Sequence, residues 1–575
     1  MMIPLLLGAF SLAASIPTVD EGIRRVHSHL LLDDPGAALR EAEGLSSRFP
    51  QSKEAAGVLV EALSAAGLEE SALAQWTTLS ARYPDLIADR NLLEEMSWGV
   101  LKKGLQSNQH GIRLSSLIGI YLTRDVRAVP VLVKMMRDSN AIVRSVAVQM
   151  AGDYGDAPLR DEVARIMAEE KVWMVRIQAM QTAGRLRMKN VAPQLQLLVQ
   201  SEKTMAEERQ VAISALLNIW EEASPEEIRK LAQSNRAGLR HLACAIATHF
   251  QVKEVRSEIL TLLSDTNSDV RVAALNALGL CYKEMMNPAE IRDALKPRLE
   301  ENDPAVAITA AWVVTLFDPL LGTKAFTKWL QDPMAENRRL AAAALAATGD
   351  RGATLAAQTL QTSSDPYVRA NVSFGLIGQR QEVKAACDCL YEFLTQEKRM
   401  WMWDSRQNAL FQVLAPSQVR YVDQVPNYPE SIDQMTRLQL VSMLAVVGDV
   451  RAIDALKNFL EKRKWSITGV AAATLLQEGD ETSLEVVRKL LEDPSPHIRL
   501  QACLVLAMYG KDETVLKELQ GAYPGADFEC KLHILEALGN VGSQESFSFL
   551  VGVLHEPFPL LRVAAAAALI QGLNR

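Results

Sequence analysis

The feature that most constrains this chain is a short pattern that keeps returning along it. A turn bearing Asp or Asn leads to an apolar residue, an Arg, and a helix of small and apolar residues ending in Gly. Clear copies are SNAIVRSVAVQMAG (139–152), KVWMVRIQAMQTAG (171–184), TNSDVRVAALNALG (266–279), SDPYVRANVSFGLIG (364–378) and SPHIRLQACLVLAMYG (495–510). Anchored on the basic residue, the series reads Arg113, Arg144, Arg176, Arg209, Arg240, Arg271, Arg339, Arg369, Arg406, Arg437, Arg499 and Arg562. Lys531 fills the slot once, and Ala307 and Thr468 replace it. Most anchors lie 30 to 33 residues apart, the exceptions being the steps into 307 and 406.

A second apolar-periodic stretch follows each glycine, as in RAVPVLVKMMRD (127–138), RAIDALKNFLEK (451–462), TSLEVVRKLLED (482–493) and ESFSFLVGVLHE (545–556). Apolar residues recur there at i, i+3, i+4 and i+7, the mark of an amphipathic helix. Each unit is therefore two short helices, neither able to bury its apolar face alone, and stacking successive pairs supplies the missing core. The expected fold is all-α. The turns carry their own chemistry: Asp303-Pro304, Asp332-Pro333, Asp365-Pro366 and Asp493-Pro494 offer an N-cap acceptor before a proline at the first helical position. Gly152, Gly184 and Gly279 suit the left-handed residue that closes a helix.

These residues resemble the HEAT-like repeat family, in the short form also seen in phycobilisome lyases. The resemblance covers roughly 95–575, with the motif in register about fifteen times. It implies a right-handed α-α superhelix, a HEAT/armadillo-like solenoid, in which the repeated Arg and the turn Asp link neighbouring units. On that reading Arg144, Arg176, Arg271, Arg369 and Arg499 form a structural ladder; a ligand-binding row of arginines is the sharper alternative. The regular register leaves no room for an inserted domain, so 95–575 is expected to be one continuous superhelix without β-sheet.

The N-terminal segment has another period. GAALREAEGLSSRFPQ (36–51) aligns with ESALAQWTTLSARYPD (70–85) at an offset of 34, with Phe49 on Tyr83 and Pro50 on Pro84. That period and its aromatic-Pro close resemble tetratricopeptide repeats. The match spans 18–90, too little for a stable array alone, so these repeats are expected to cap the first HEAT-like unit. In many exported bacterial proteins such repeats resemble assembly modules.

Ahead of them, Ile3–Ala14 is an uncharged apolar run, too short to cross a bilayer but suited to a signal-peptide core. Ala13 and Ser15 place small side chains before a cut at Ile16, although the run has no Lys or Arg in front of it. Residues 1–15 thus read as a signal peptide, pointing to a periplasmic or envelope protein; a cytoplasmic one is the alternative. The six cysteines do not form a framework. Cys387 and Cys389 point about 200° apart on a helix, while Cys244 and Cys503 hold the same slot in distant repeats, so free thiols are expected.

A search for chemistry returns little. No phosphate-binding, dinucleotide, zinc-protease or serine-hydrolase motif occurs, and no CxxC pair. His241 and His249, with Cys244 between them, sit about 12 Å apart along a helix axis, too far for one ion. No catalytic residue, metal or cofactor is expected. The net charge of −8, without a basic tail or block, weighs against nucleic acid. Pairs such as Glu207-Glu208 and Glu226-Glu227 read as solvated first turns.

One irregularity stands out. The repeat stretches to 37 residues between Arg369 and Arg406, taking in KRMWMWDSR (398–406), and APSQVRYVDQVPNYPES (415–431) follows. Insertions in solenoids map to loops on one face, often the binding face. Trp401, Trp403, Arg406, Tyr421 and Tyr428 are therefore candidate partner-binding residues, set among charges so that at least part of the segment is expected to reach water; the alternative is a packing irregularity filled by large side chains. The leading expectation is a non-enzymatic scaffold or assembly factor that binds proteins or peptides. A lyase-like enzyme or chaperone holding a small ligand on the concave face is the runner-up, and a nucleic-acid reader the third.

Overall fold

The computed structural model describes residues 18–282, 288–395, 401–405, 408, 410–417, 436–437, 439–441, 443–455, 457, 481–510 and 512–574. Residues 1–15, Arg406, Tyr421, Tyr428 and Thr468 lie outside them. The chain forms two compact units, one of Met1–Ala128 with Tyr523–Arg575 and one of Val129–Ala522. Among the described residues both are all-α apart from one short hairpin.

The first unit opens with two helical hairpins, Val19–Leu31 with Pro35–Arg48 and Lys53–Ala65 with Glu69–Arg82. Helix Val19–Leu31 starts where it does because Thr18 and Glu21 form a reciprocal capping box. Tyr83 donates its hydroxyl to the Gln51 carbonyl at 3.0 Å and Arg82 reaches the Pro50 carbonyl at 3.3 Å, so the aromatic-Pro ends of the two hairpins are tied together. Helices Arg90–Gly104 and His110–Leu122 follow.

The sequence boundary at 90–95 is not where this unit ends. The last helix of the chain, Pro559–Leu573, packs on both Arg90–Gly104 and His110–Leu122. Asn574 donates to the free carbonyls of Leu122 and Thr123, at 3.1 and 2.9 Å, and accepts from Arg90 at 3.2 Å. Arg562 pairs with Glu69 at 3.2 Å. The final repeat thus finds its stacking neighbour among the first helices.

In the second unit the first helices of successive repeats stack in order: Ala141–Tyr154, Trp173–Arg185, Ala206–Ile219, Ala237–His249, Ser268–Cys281, Pro304–Thr315, Ala335–Ala346 and Pro366–Gly378. Their buried positions fall three, seven and eight residues after the N-cap, as with Val143, Ala147 and Val148 after Asn140 and Val270, Ala274 and Leu275 after Asn267. That spacing puts one apolar stripe on each helix against the rest of the array.

Three expectations are corrected. Gly152, Gly184 and Gly279 lie inside their helices and do not close them. A Cβ on Gly184 would come within 2.8 Å of the Ala215 Cα, and one on Gly279 within 2.4 Å of the Trp312 ring, so these glycines let neighbouring first helices approach. The left-handed closing residue comes later, for example Gly155 at φ 71°. Of the four Asp-Pro pairs, Asp303 and Asp365 are N-caps, but Asp332 lies two residues before its N-cap, Met334. Asp332 and Asp493 instead accept from the N–H two residues on, at 2.8 and 2.9 Å, and fold the turn. Finally, a β-sheet is present: β1 (Trp401–Asp404) pairs antiparallel with β2 (Val413–Pro416), Trp403 facing Leu414.

Candidate functional site

The repeated arginine comes first because its donors decide whether it is free to bind anything. It sits four residues after the N-cap and its guanidinium turns back. Arg144 donates to the carbonyls of Asp138 and Ser139 (2.9 and 3.2 Å), Arg176 to those of Glu170 and Lys171 (3.2 and 2.9 Å), and Arg499 to those of Asp493 and Pro494 (2.9 and 3.1 Å). The remaining donors go to carboxylates, of the next repeat or the turn before it for Arg144, Arg176 and Arg271, and of the second helix of the same repeat for Arg369 and Arg499. Arg144 takes Glu170 in a fork at 2.8 and 3.0 Å, Arg176 takes Glu208 at 3.0 and 2.6 Å, and Arg271 takes Glu301 at 2.9 Å. Arg369 reaches Glu392 at 3.4 Å and Arg499 reaches Glu518 at 3.5 Å.

Arg240 shows how the rungs join. Its guanidinium holds Asp265 at 2.5 and 2.7 Å, while the carbonyl of the same Asp265 accepts from Arg271 at 2.7 Å. Burial would push the Asp265 carboxyl up, but Arg240 and the Asn267 N–H outweigh it and hold it below the usual carboxylate range. These guanidinium groups are thus engaged by carbonyls and carboxylates of the array. In the repeat at 335–346 the slot belongs to Arg338, which donates to the Asp332 and Pro333 carbonyls at 2.8 and 2.9 Å. The anchor on Arg339 is thus one residue late, and the slot spacing from 307 to 369 becomes two steps of 31 residues.

The irregular segment behaves differently from its expectation. Trp401 is fully buried, stacked on Phe393 with ring centres 4.1 Å apart and covered by the Arg437 guanidinium at 4.0 Å. Any expected access of Trp401 to water is therefore corrected. Trp403 is half-buried against Phe374 and donates its indole N–H to Gln439.

What this segment lies on is the informative part. Its described residues run across the first helices of repeats 268–378. Asn408 exchanges amide bonds with Asn276 at 3.1 and 3.3 Å and donates to Thr309 at 2.8 Å. Phe411 meets Trp312 edge-on at 5.5 Å. β2 packs on helices Ala335–Ala346 and Pro366–Gly378. There the Asn371 side chain closes on the backbone of Leu414, Oδ1 accepting from its N–H and Nδ2 donating to its carbonyl, both at 2.9 Å. Nδ2 also donates to the Tyr367 carbonyl at 2.8 Å, which fixes the amide's orientation.

The receiving residues occupy two slots of the repeat. Thr309 and Asn371 lie six residues after their N-caps; Asn276, Trp312 and Phe374 lie nine after theirs. Sequence reasoning missed these positions. The available signal was Asn371 itself, an asparagine in a helix interior, where it competes with the backbone for hydrogen bonds and is a poor helix former.

Elsewhere the chemistry is sparse. Among the described residues no group of three His, Cys, Asp or Glu is placed to hold a metal. Burial pushes the Cys244 thiol up and the His241 imidazole down, which keeps both neutral. All six cysteines are free thiols and five are buried. A cavity of about 360 Å³ lies between helices Arg90–Gly104 and Pro559–Leu573, lined by Lys103, Gln106, Ile112 and the Glu69–Arg562 pair. A second, of about 420 Å³, is lined by His497, Leu500 and Lys517. No helix among the described residues is long and apolar enough to cross a membrane.

In comparison with known proteins, the HEAT repeats family matches residues 453–525. No curated protein matches the chain in sequence. Among solved structures it is similar to UNC-45 from Drosophila melanogaster, at 12% identity over 96% of this chain and 82% of that one, TM-score 0.34. It is also similar to the karyopherin Kap121p bound to the extreme C-terminus of the protein phosphatase Cdc14p, at 12% identity over 97% and 72%, TM-score 0.34. Human deoxyhypusine hydroxylase in complex with glycerol matches at 16% identity over 44% and 96%, TM-score 0.21. At such scores none of these likenesses bears on function.

Proposed function

We propose that this chain is a non-enzymatic protein-binding scaffold of the HEAT/armadillo-like kind, with a tetratricopeptide-like N-terminal part, that holds extended polypeptide on the face of its first helices. The observation that carries this reading is the Asn371 clamp. A helix side chain there meets both the N–H and the C=O of one strand residue, the bonds a neighbouring strand would make. Such a contact recognises extended backbone whatever side chain it carries. The arginines, by contrast, are engaged with carboxylates and turn carbonyls, which supports a structural ladder over a ligand-binding row.

The apolar run Ile3–Ala14 supports placing the protein in a bacterial periplasm or envelope. Mass spectrometry of the native protein should find an N-terminus near Ile16; an intact Met1 in a cytosolic fraction would remove the export reading. For binding itself, the full chain should be panned against a random-peptide library. Enriched peptides should lose affinity when alternate backbone amides are N-methylated. Enrichment of amphipathic helices, or indifference to N-methylation, would overturn the reading.

A further inference from the structure

The two slots that hold residues 408–414 recur in the other described first helices, so the repeats in which their side chains stay exposed or half-buried are informative. Helices Ala141–Tyr154, Trp173–Arg185 and Ala206–Ile219 have N-caps Asn140, Val172 and Met205. Six residues on, these helices carry Val146, Gln178 and Val211; nine residues on, they carry Gln149, Gln181 and Ser214. Gln149, Gln181 and Ser214 are exposed, and the other three are half-buried. The three helices stack on one another directly. Together they make an uncharged band of amides, a hydroxyl and two valines, flanked on one side by the Asp153–Arg185 pair at 3.2 Å. In the following helix, Ala237–His249, the six-residue slot is filled by fully buried Leu242, which bounds the band.

We propose that this band is an open stretch of the same track and takes one extended, uncharged, apolar segment of a partner protein, its backbone held by Gln178 and Gln181 as Leu414 is held by Asn371. The proposal rests on the peptide-binding reading above and extends it to repeats that the chain's own segment does not cover. Primary amides in these slots offer a donor and an acceptor on one rigid group, which is what the N–H and C=O of one extended residue require. With helices about 10 Å apart, three of them span about 20 Å, or about six residues at roughly 3.3 Å each. The absence of charge within the band selects against acidic or basic segments, since a charge placed there would lose water without gaining a partner.

The test uses the full chain and a fluorescein-labelled peptide of residues 408–416 (NALFQVLAP) as probe, read by anisotropy. Saturable binding in the micromolar range is expected, weakened at least fivefold by Gln178→Ala with Gln181→Ala and equally by N-methylating the peptide's Leu at the 414 position. Thermal melts should show the double variant folded, Gln181 being exposed and Gln178 only half-buried. If Asn371→Ala weakens binding and the glutamine variant does not, the peptide is exchanging with the internal segment; the band is then wrong and the peptide-binding face stands. If N-methylation changes nothing, binding is apolar adhesion, and both fall. Absence of binding overturns the band.

Discussion

At the scale of single residues, the buried charges follow the stacking, and their cost if broken is large. Asp265 is nearly inaccessible and serves two repeats at once, through its carboxylate to Arg240 and its carbonyl to Arg271. Asp265→Ala leaves the Arg240 guanidinium buried without its partner, and should destabilise the second unit by about 3 kcal/mol, seen as a lower midpoint in urea. Glu162 gives the pH dependence. Burial alone would raise its carboxyl, but the hydrogen bonds from Arg137 and Arg165 outweigh that and lower it from 4.5 to about 2. A carboxyl lowered by folding stabilises the fold fully above its unfolded value and loses that contribution as pH falls toward the folded one. Between about pH 4.5 and 2, on the order of 2 kcal/mol should therefore disappear, discounting for the exposed Arg137. Glu162→Gln should flatten that part of the acid-unfolding curve; an unchanged curve would show that the pair contributes nothing. Trp401→Ala empties a site closed by Phe393 and Arg437 and should cost about 3–5 kcal/mol, whereas a surface tryptophan would leave the melting temperature unmoved.

At the scale of elements, the glycines separate two kinds of contact. A Cβ on Gly184 meets the Ala215 backbone, which cannot yield without moving a helix, while the atoms nearest to one on Gly152 belong to the Arg185 guanidinium, the far end of a flexible side chain. Gly184→Ala should destabilise by about 1–3 kcal/mol, and Gly152→Ala should be near neutral once Arg185 has swung aside; comparable effects at both sites would mean that the helices are not set by this approach. The hairpin teaches the converse lesson. Trp401 and Trp403 looked like a binding loop because insertions and aromatics mark binding faces, yet an extended segment alternates its side chains. One side of this segment could therefore enter the core, although the sequence around it is rich in charge.

At the scale of the whole chain, the first unit is built from both ends. Helix Pro559–Leu573 covers helices Arg90–Gly104 and His110–Leu122, and Asn574 satisfies carbonyls that would otherwise lack partners. Removing residues 523–575 should leave Leu117, Ile120 and their neighbours uncovered. Limited proteolysis should then cut within 90–122 far faster than in the intact chain. Equal protection would show that the N-terminal helices stand without the last repeat.

The sequence by itself determined the local grammar: two helices per unit, the 31-residue step, and an arginine near the start of most first helices. These are legible because they repeat, and repetition averages away the ambiguity of any one copy. It also indicated that the motif contains a glycine, a turn acid and a proline, but not which of them caps, turns or packs. Arg338 and Arg339 are adjacent in sequence and only the helix start tells them apart; Asp303 and Asp332 both precede proline and only the hydrogen bonds separate their roles. What the tertiary structure alone decided are contacts between distant residues, Asn371 with Leu414, Asn408 with Asn276, and Asn574 with Leu122. Each depends on which surfaces meet once the array has stacked, and no local propensity encodes a meeting between residues that far apart along the chain.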